Sequence, residues 1–314
     1  MKSKELCVFL ERLRSARNLS QESFTDGIVS LRQYRRYLSG ESDVPFQVIL
    51  LLTEKIGVKT DNLLREFEIA SFEETEIINN LFSLAVNYDH VGFLKLSKEI
   101  PLNRIIDKNN QLMYQHSVIL DQLYSKNISV ADAALSNAKL LNYPLILESQ
   151  IITSVEMLVL SSLLDFLDES HHKAIVEKIQ EFIADTSVVL SGRNEKTYIF
   201  ILAKISKFFG IHEDYDKVIK FCEMGVEKNL SLRSYYLLDY FYYYQALAFY
   251  KLDRIEKYEQ MIVNCFNVLH LEGNIKKIEK FTALIEEDFN INFIEFVTNF
   301  YAKQSGKFQA SNEG

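Results

Sequence analysis

The chain has 314 residues, about half of them apolar, and only 3 prolines, 10 glycines and 3 cysteines. That supplies enough apolar surface for a full core without metal or disulfide staples, and so few breakers exclude a disordered tail or a sheet protein in favour of long helices joined by short loops. The net charge of −8 is uneven: residues 1–65 hold eleven Lys/Arg against eight Asp/Glu and the remainder stands at −11, so a mildly basic end precedes an acidic body, which suits contact with phosphate at that end only.

Cys7, Cys222 and Cys265 lie far apart in apolar helical patterns and read as reduced packing residues of a cytoplasmic protein. The opening residues are cut by charge every two or three positions, which excludes a signal-peptide core, and no run of about 18 apolar residues occurs, so no membrane contact is expected.

In chain order, Leu6, Phe9, Leu10, Leu13 and Ala16 recur at three and four and predict an amphipathic helix over 4–16. Ser20 caps a second short helix that runs through Asp26, buries Phe24 and closes at Gly27. A third follows with Ser30 as N-cap, Gln33 completing a capping box and Gly40 as the stop. Tyr34 and Tyr37 face inward on it, which leaves Arg32, Gln33 and Arg36 opposite with Arg35 flanking. Such side chains reach guanine, adenine and phosphate from a helix in the major groove. A plainer reading stands beside that one: Gln33 spends its amide on the capping box and the arginines form a solvated face. A fourth helix after Pro45 carries Phe46, Ile49, Leu52 and Ile56 up to Gly57, and a fifth, capped by Thr60, carries Leu63, Leu64 and Phe67.

Leu19-Ser20-Gln21-Glu22, Ser30, Gly40 and Gly57-Val58 followed by Leu63-Leu64 together resemble the lambda-repressor/Cro-like helix-turn-helix family. The resemblance implies a five-helix DNA-binding domain over residues 1–66, with Gln21 on backbone phosphate and Arg32, Gln33 and Arg36 facing the bases. Leu38 and Ser39 depart from it, since a charged pair is commoner before the glycine.

Residues 67–76 are an acidic stretch that either serves as a linker or continues as helix. Over 77–314 helical periodicity is interrupted near Gly92, Pro101, Pro144, Ser191-Gly192, Gly210, Asn229 and Gly273. The clearest hairpins run Thr197–Phe209 with Lys217–Glu227, and Ser234–Tyr250 with Ile255–Leu269. Aligning Tyr215 with Ile255 gives a 40-residue period. These hairpins resemble tetratricopeptide repeats, with Ala203 and Ala246 near that family's alanine positions and its proline missing. Such an α-solenoid presents a concave face that takes extended peptides. Tyr236, Tyr240, Tyr243 and Tyr244 share one helical face, where they either pack between repeats or line a groove that supplies apolar contact and hydrogen bonds together. Lys204 and Lys207 on the neighbouring hairpin offer positive charge to a peptide carboxylate.

The order of parts resembles the Gram-positive peptide-pheromone receptors of the Rgg, PlcR and PrgX type. That resemblance implies an all-α regulator of quorum-sensing type, a homodimer on a double-stranded DNA operator with two-fold symmetry, switched by a short signalling peptide in the groove of residues 77–314. Two other readings stay open: a DNA-binding regulator whose repeats are a protein-interaction scaffold with no small ligand, and an adaptor that no longer touches DNA. No enzyme is expected. Phosphate-cradling glycine loops and HExxH are absent, and His171-His172 point about 100° apart if helical. Glu73-Glu74 and Glu286-Glu287 read as surface charge, and neither cofactor nor metal is called for.

Overall fold

The apolar spacing folds as helix almost wherever it occurs. The computed structural model describes residues 3–185 and 195–312, and among these it is all-α, with no strand. The break predicted at Ser191-Gly192 lies outside the described residues. The chain divides into two compact units, residues 1–142 and 143–314.

The first unit opens with α1 (Ser3–Ala16), α2 (Gln21–Thr25), α3 (Leu31–Ser39) and α4 (Phe46–Lys55). Leu6, Leu10, Phe24, Tyr34, Ile49, Leu52 and Leu63 pack into one core. The fifth helix does not end near residue 66: α5 runs unbroken from Thr60 to Val86, so the acidic stretch continues as helix. Thr60 is its first helical residue and not its cap, because the preceding residue is Lys59 and the Thr60 hydroxyl is engaged 2.9 Å from that of Thr53. Next come α6 (His90–Glu99), α7 (Lys108–Tyr124) and α8 (Val130–Leu141), with α7 packed along α5. Glu74 is no idle surface charge. Its carboxylate accepts from the backbone N–H groups of Ile106 and Asp107 at 2.8 and 3.0 Å and from the Asn110 amide at 3.0 Å, pinning the turn before α7 to α5.

The second unit comprises α9 (Ser154–Ser162), α10 (Glu169–Ala184), α11 (Glu195–Ile211), α12 (Tyr215–Leu232), α13 (Leu238–Lys251), α14 (Ile255–Glu272), α15 (Ile275–Phe289) and α16 (Phe293–Asn312). Neighbouring helices pair as hairpins, and α11 also touches both α9 and α13, so the three form one row of a stacked repeat. The 40-residue period is real in the backbone, since α12 begins at Tyr215 and α14 at Ile255. The turns before them match. Glu213 and Asp253 sit in the left-handed region at φ 58° and 55°, and the next amide returns to a carbonyl five residues back, Asp214 to Phe209 at 3.0 Å and Arg254 to Phe249 at 2.8 Å. Tyr88 (φ 61°), followed by Asp89 bonding Leu84, repeats that turn in the first unit.

Those turns explain why three expected breaks are misplaced. Gly92 lies inside α6, where its N–H donates to the Asp89 cap at 3.0 Å. Gly210 lies inside α11. Asn229 lies inside α12, where its buried amide donates to the carbonyls of Gly225 and Tyr236 at 2.9 and 3.1 Å and so ties the α12 end to the approach to α13. Gly273 does end α14, at φ 68°.

Gly225 is needed for a different reason. It faces the fully buried Phe241 ring, which a Cβ at that position would overlap. We expect Gly225→Ala to destabilise the protein by about 1–3 kcal/mol despite the better helix propensity of alanine, because an overpacked core costs more than the ~1 kcal/mol regained in the helix. Chemical denaturation of the two proteins checks this, and equal or greater stability of the variant would refute the close packing of α12 on α13.

Candidate functional site

The head of the first unit is a helix-turn-helix whose caps are formed as its sequence requires. Ser20 Oγ accepts from the Ser23 amide at 3.0 Å, Gly27 turns the chain at φ 74°, and Ser30 Oγ accepts from the Gln33 amide at 3.2 Å. Gly40, at φ 80°, closes α3. Tyr34 and Tyr37 are buried as expected, which turns Arg32, Arg35 and Arg36 outward as one exposed basic face. Arg32, Arg35 and Arg36 line a shallow concavity together with Leu31, Ser39 and Glu41.

What aims that face is a residue that periodicity alone does not single out. Glu11 on α1 accepts from Arg14 Nε at 2.8 Å and Nη2 at 2.6 Å, from Gln21 Nε2 at 2.8 Å and from the Tyr34 hydroxyl at 2.8 Å. One carboxylate therefore ties α1 to α2 and α3. Burial pushes the Glu11 carboxyl up, but the hydrogen bonds from Arg14, Gln21 and Tyr34 and the guanidinium charge outweigh it and hold the pKa below the usual carboxylate range. The Tyr34 phenol is pushed up by its burial and by its bond to Glu11.

Two side chains are engaged otherwise than expected. Gln33 does not complete a capping box: its Nε2 donates to Ser42 Oγ at 2.9 Å and its Oε1 accepts from Arg36 Nη1 at 3.2 Å. The turn after Gly40 brings Ser42 within hydrogen-bond reach of that amide. Gln21 lies at the start of α2 and spends its amide on Glu11 and, through Oε1, on Arg35 Nε at 3.4 Å. Arg36 also reaches Glu41 at 3.6 Å.

In the second unit the predicted tyrosine face holds only in part. Leu237 is left-handed at φ 56° and α13 starts at Leu238, so Tyr236 precedes the helix instead of sharing its face. Tyr236 is half-buried, with Lys196 Nζ 5.7 Å from its ring centre. Tyr243 turns into the packing between α13 and α15, where it is buried against Phe281 and Phe289 and its hydroxyl donates to Asp288. Tyr240 and Tyr244, with ring centres 6.1 Å apart, stay partly accessible. The Tyr240 hydroxyl accepts from Lys280 Nζ at 3.2 Å, and Lys277 and Lys280 lie 5.7 and 5.5 Å from its ring centre. Burial pushes the phenols of Tyr236, Tyr243 and Tyr244 up, so all three stay protonated donors.

Lys277 is anchored by two acids, Glu272 at 2.7 Å and the fully buried Asp239 at 3.0 Å. Burial raises the Asp239 carboxyl and Lys277 pulls it down only in part. Lys204 and Lys207, one turn apart on α11, converge on Asp165 in the short turn Leu163–Asp165 that follows α9, Lys207 at 2.8 Å. Nothing in the local sequence of Asp165 distinguishes it from a surface acid, so sequence reasoning misses it. The cysteines are free and buried. Among the described residues no three His, Cys, Asp or Glu side chains are grouped to hold a metal, and no helix is long and apolar enough to cross a membrane.

No family model matches the chain, and no curated protein is similar to it in sequence. Solved structures share its fold. One is PlcR from Bacillus thuringiensis in complex with the peptide PapR7 and DNA, 14% identical at a TM-score of 0.52 over 92% of this chain and 100% of that one. Another is the competence regulator ComR from Streptococcus vestibularis with its cognate signalling peptide XIP, 16% identical at 0.54 over 91% and 99%. A third is ComR from S. thermophilus in complex with DNA and its signalling peptide ComS, 12% identical at 0.55 over 90% and 99%. The chain shares the all-α fold of PlcR and ComR.

The Glu11 network yields a signed prediction. Replacing Tyr34 by Phe at neutral pH should cost about 1.5–3 kcal/mol, the usual worth of a hydrogen bond to a charged group. Glu11 has a depressed folded pKa, so its contribution is present above the unfolded value near ~4.3 and is lost as pH falls through the lower folded value. The gap between wild type and Tyr34→Phe should therefore close below about pH 4 in denaturation series. A gap that persists unchanged into acid would mean the phenol bonds something other than the Glu11 carboxylate.

Proposed function

We propose that the chain is a cytoplasmic DNA-binding transcription regulator, not an enzyme, that works as a homodimer on a two-fold symmetric operator and is gated by a short signalling peptide. The reading rests on one observation above the rest: Arg32, Arg35 and Arg36 stand side by side on the exposed face of a capped helix whose orientation the Glu11 network fixes. A solvated surface has no need of such fixing, whereas a helix that presents side chains to base edges does. In this reading Arg32 and Arg36 reach bases, Arg35 and Gln21 serve phosphate, Ser30 caps the helix at the DNA, and Gln33 exchanges its Ser42 and Arg36 bonds for a base edge. The fold shared with PlcR and ComR, solved with peptide and DNA, supports the same division of labour.

The peptide's place in this proposal is the accessible row formed by Lys204 and Lys207 on α11 and by Tyr240 and Tyr244 on α13, with Tyr236 at its edge and Tyr243 supporting it from behind. Residues 77–314 would then supply groove and dimer contacts, residues 67–76 would link them to the head, and residues 1–66 would read the DNA.

The test uses the full chain and duplexes selected from a random-sequence library. Arg32→Ala with Arg36→Ala should abolish the selected complex while the helical circular dichroism stays unchanged. Arg35→Ala, which removes a phosphate contact in this reading, should instead weaken binding to every duplex alike and lower the log–log salt slope by about one unit. If wild type selects no sequence, the adaptor reading takes over. Selection of DNA without any effect of short hydrophobic peptides would favour the protein-scaffold reading instead.

A further inference from the structure

Adjacent residues on a helix point about 100° apart, and on α10 that divergence sends His171 and His172 to different partners. His171 turns to Tyr143, whose hydroxyl lies 3.0 Å from its Nδ1. His172, half-buried, meets His212 in the turn between α11 and α12, with ring centres 6.0 Å apart and planes at 82°. Sequence reading dismisses a metal at His171-His172 because no ligand lies nearby in the chain, but folding brings one. Each ring of the His172–His212 pair has one nitrogen on a backbone carbonyl: His172 Nε2 is 3.0 Å from the Leu167 oxygen and His212 Nδ1 2.9 Å from the Phe208 oxygen. A carbonyl only accepts, so that nitrogen carries the proton, and the other nitrogen of the neutral ring is left as a bare lone pair. His172 Nδ1 is such a nitrogen, and it is buried without a hydrogen-bond partner, which costs free energy. Ring packing does not account for it. His172 stands edge to face with Phe208 at 5.3 Å and Phe208 lies 4.1 Å from His212, but a phenylalanine at 172 would fill that place with no lone pair to satisfy.

We propose that His172 and His212 form a binding site for a zinc-class transition-metal ion, held by His172 Nδ1 and His212 Nε2 with water completing its coordination. Metal-bound imidazoles give their other N–H to a carbonyl or carboxylate, which is the arrangement both rings show. Two rings on one ion at the usual zinc–nitrogen distance of ~2.0–2.1 Å have centres roughly 5–6.5 Å apart, a range that includes the spacing here. Nitrogen donors favour Zn²⁺ over Mg²⁺ and Ca²⁺, which take oxygen ligands. His212 is exposed, so the ion enters from its side, and once bound it ties α10 to the turn before α12. The site is independent of the peptide reading above.

The experiment is calorimetric titration of the untagged full-length chain with Zn²⁺ in a large excess of Mg²⁺. Wild type should bind a single ion saturably, and a chelator should reverse the accompanying rise in Tm. His172→Phe and His212→Phe keep a ring in place and remove one donor each. Either should weaken binding by at least about 10–100-fold, the usual cost of losing even an outer partner of a metal ligand. Without metal, His172→Phe should be as stable in denaturant as wild type or more so, because an unpaired acceptor is gone. His270 makes the same back-bond, to the Phe266 carbonyl at 2.9 Å, so His270→Ala serves with His171→Ala as a control that should leave affinity unchanged. No saturable zinc binding by wild type overturns the proposal, as does binding that survives intact in either Phe variant. Equal losses in the His171 or His270 variants also overturn it, in favour of scattered surface histidines. A metal-free His172→Phe protein clearly less stable than wild type would show that Nδ1 has a partner within the chain, and the site would fall with it.

Discussion

Glu11 stands on α1 where three helices meet, and its carboxylate accepts bonds from a guanidinium, an amide and a phenol. A charge so placed costs free energy unless its lone pairs are satisfied, and here groups from two other helices help to satisfy them. The apolar core around Phe24, Tyr34 and Leu52 would hold the same helices together, but apolar burial is tolerant of small rotations. Four directed bonds are not. The exposed side of α3 is fixed by what its buried side must reach, so the aim of Arg32, Arg35 and Arg36 follows from a bond on the opposite side of the helix.

A similar division holds in the second unit. Area burial stacks the helices, and Phe241 against Gly225 shows how closely. Register comes from directed contacts, among them the Asn229 amide on two carbonyls, Tyr243 on Asp288 and Lys277 between Asp239 and Glu272. The first ties the end of α12 to the approach to α13, and the other two tie α15 back to α13, Lys277 reaching α14 as well.

Legibility in the sequence follows the range of the cause. Helix identity, the caps at Ser20 and Ser30, the stop at Gly40 and the inward Tyr34 and Tyr37 depend on neighbours within a turn, and all are readable. The 40-residue period is readable because it repeats an apolar pattern. Breaks are misplaced where glycine serves as punctuation, for these hairpins turn on Glu213 and Asp253, and residues of that kind in a left-handed conformation carry no composition signal. Tyr236 falls outside a helix that starts two residues later for the same reason, Leu237 being left-handed. The roles of Gln33, Glu74 and Asp165 are hidden because their partners, Ser42, the turn before α7 and two lysines on α11, are brought to them by folding. Polar pairings at long range are the least visible part of any sequence, and here they define both candidate sites.

The charge distribution bears on how such a molecule would be regulated. Residues 1–65 carry a net charge of only +3, and on α3 part of that is held internally, since Arg36 leans on Gln33 and Glu41 and Arg35 on Gln21. Under the proposed function one head would therefore offer few free cations to phosphate, and the acidic remainder would add repulsion, so a single head on DNA should be weak at physiological salt. In that reading, two heads on one body would bind as a unit only when their separation matches half-sites about 34 Å apart or a multiple of it. Weak heads are what make that separation decisive: if each bound tightly alone, moving them would change little. Under the proposed function, a peptide that favours one arrangement of the body by the ~1–3 kcal/mol typical of coupled sites changes operator occupancy about 5–150-fold without touching a residue of α3.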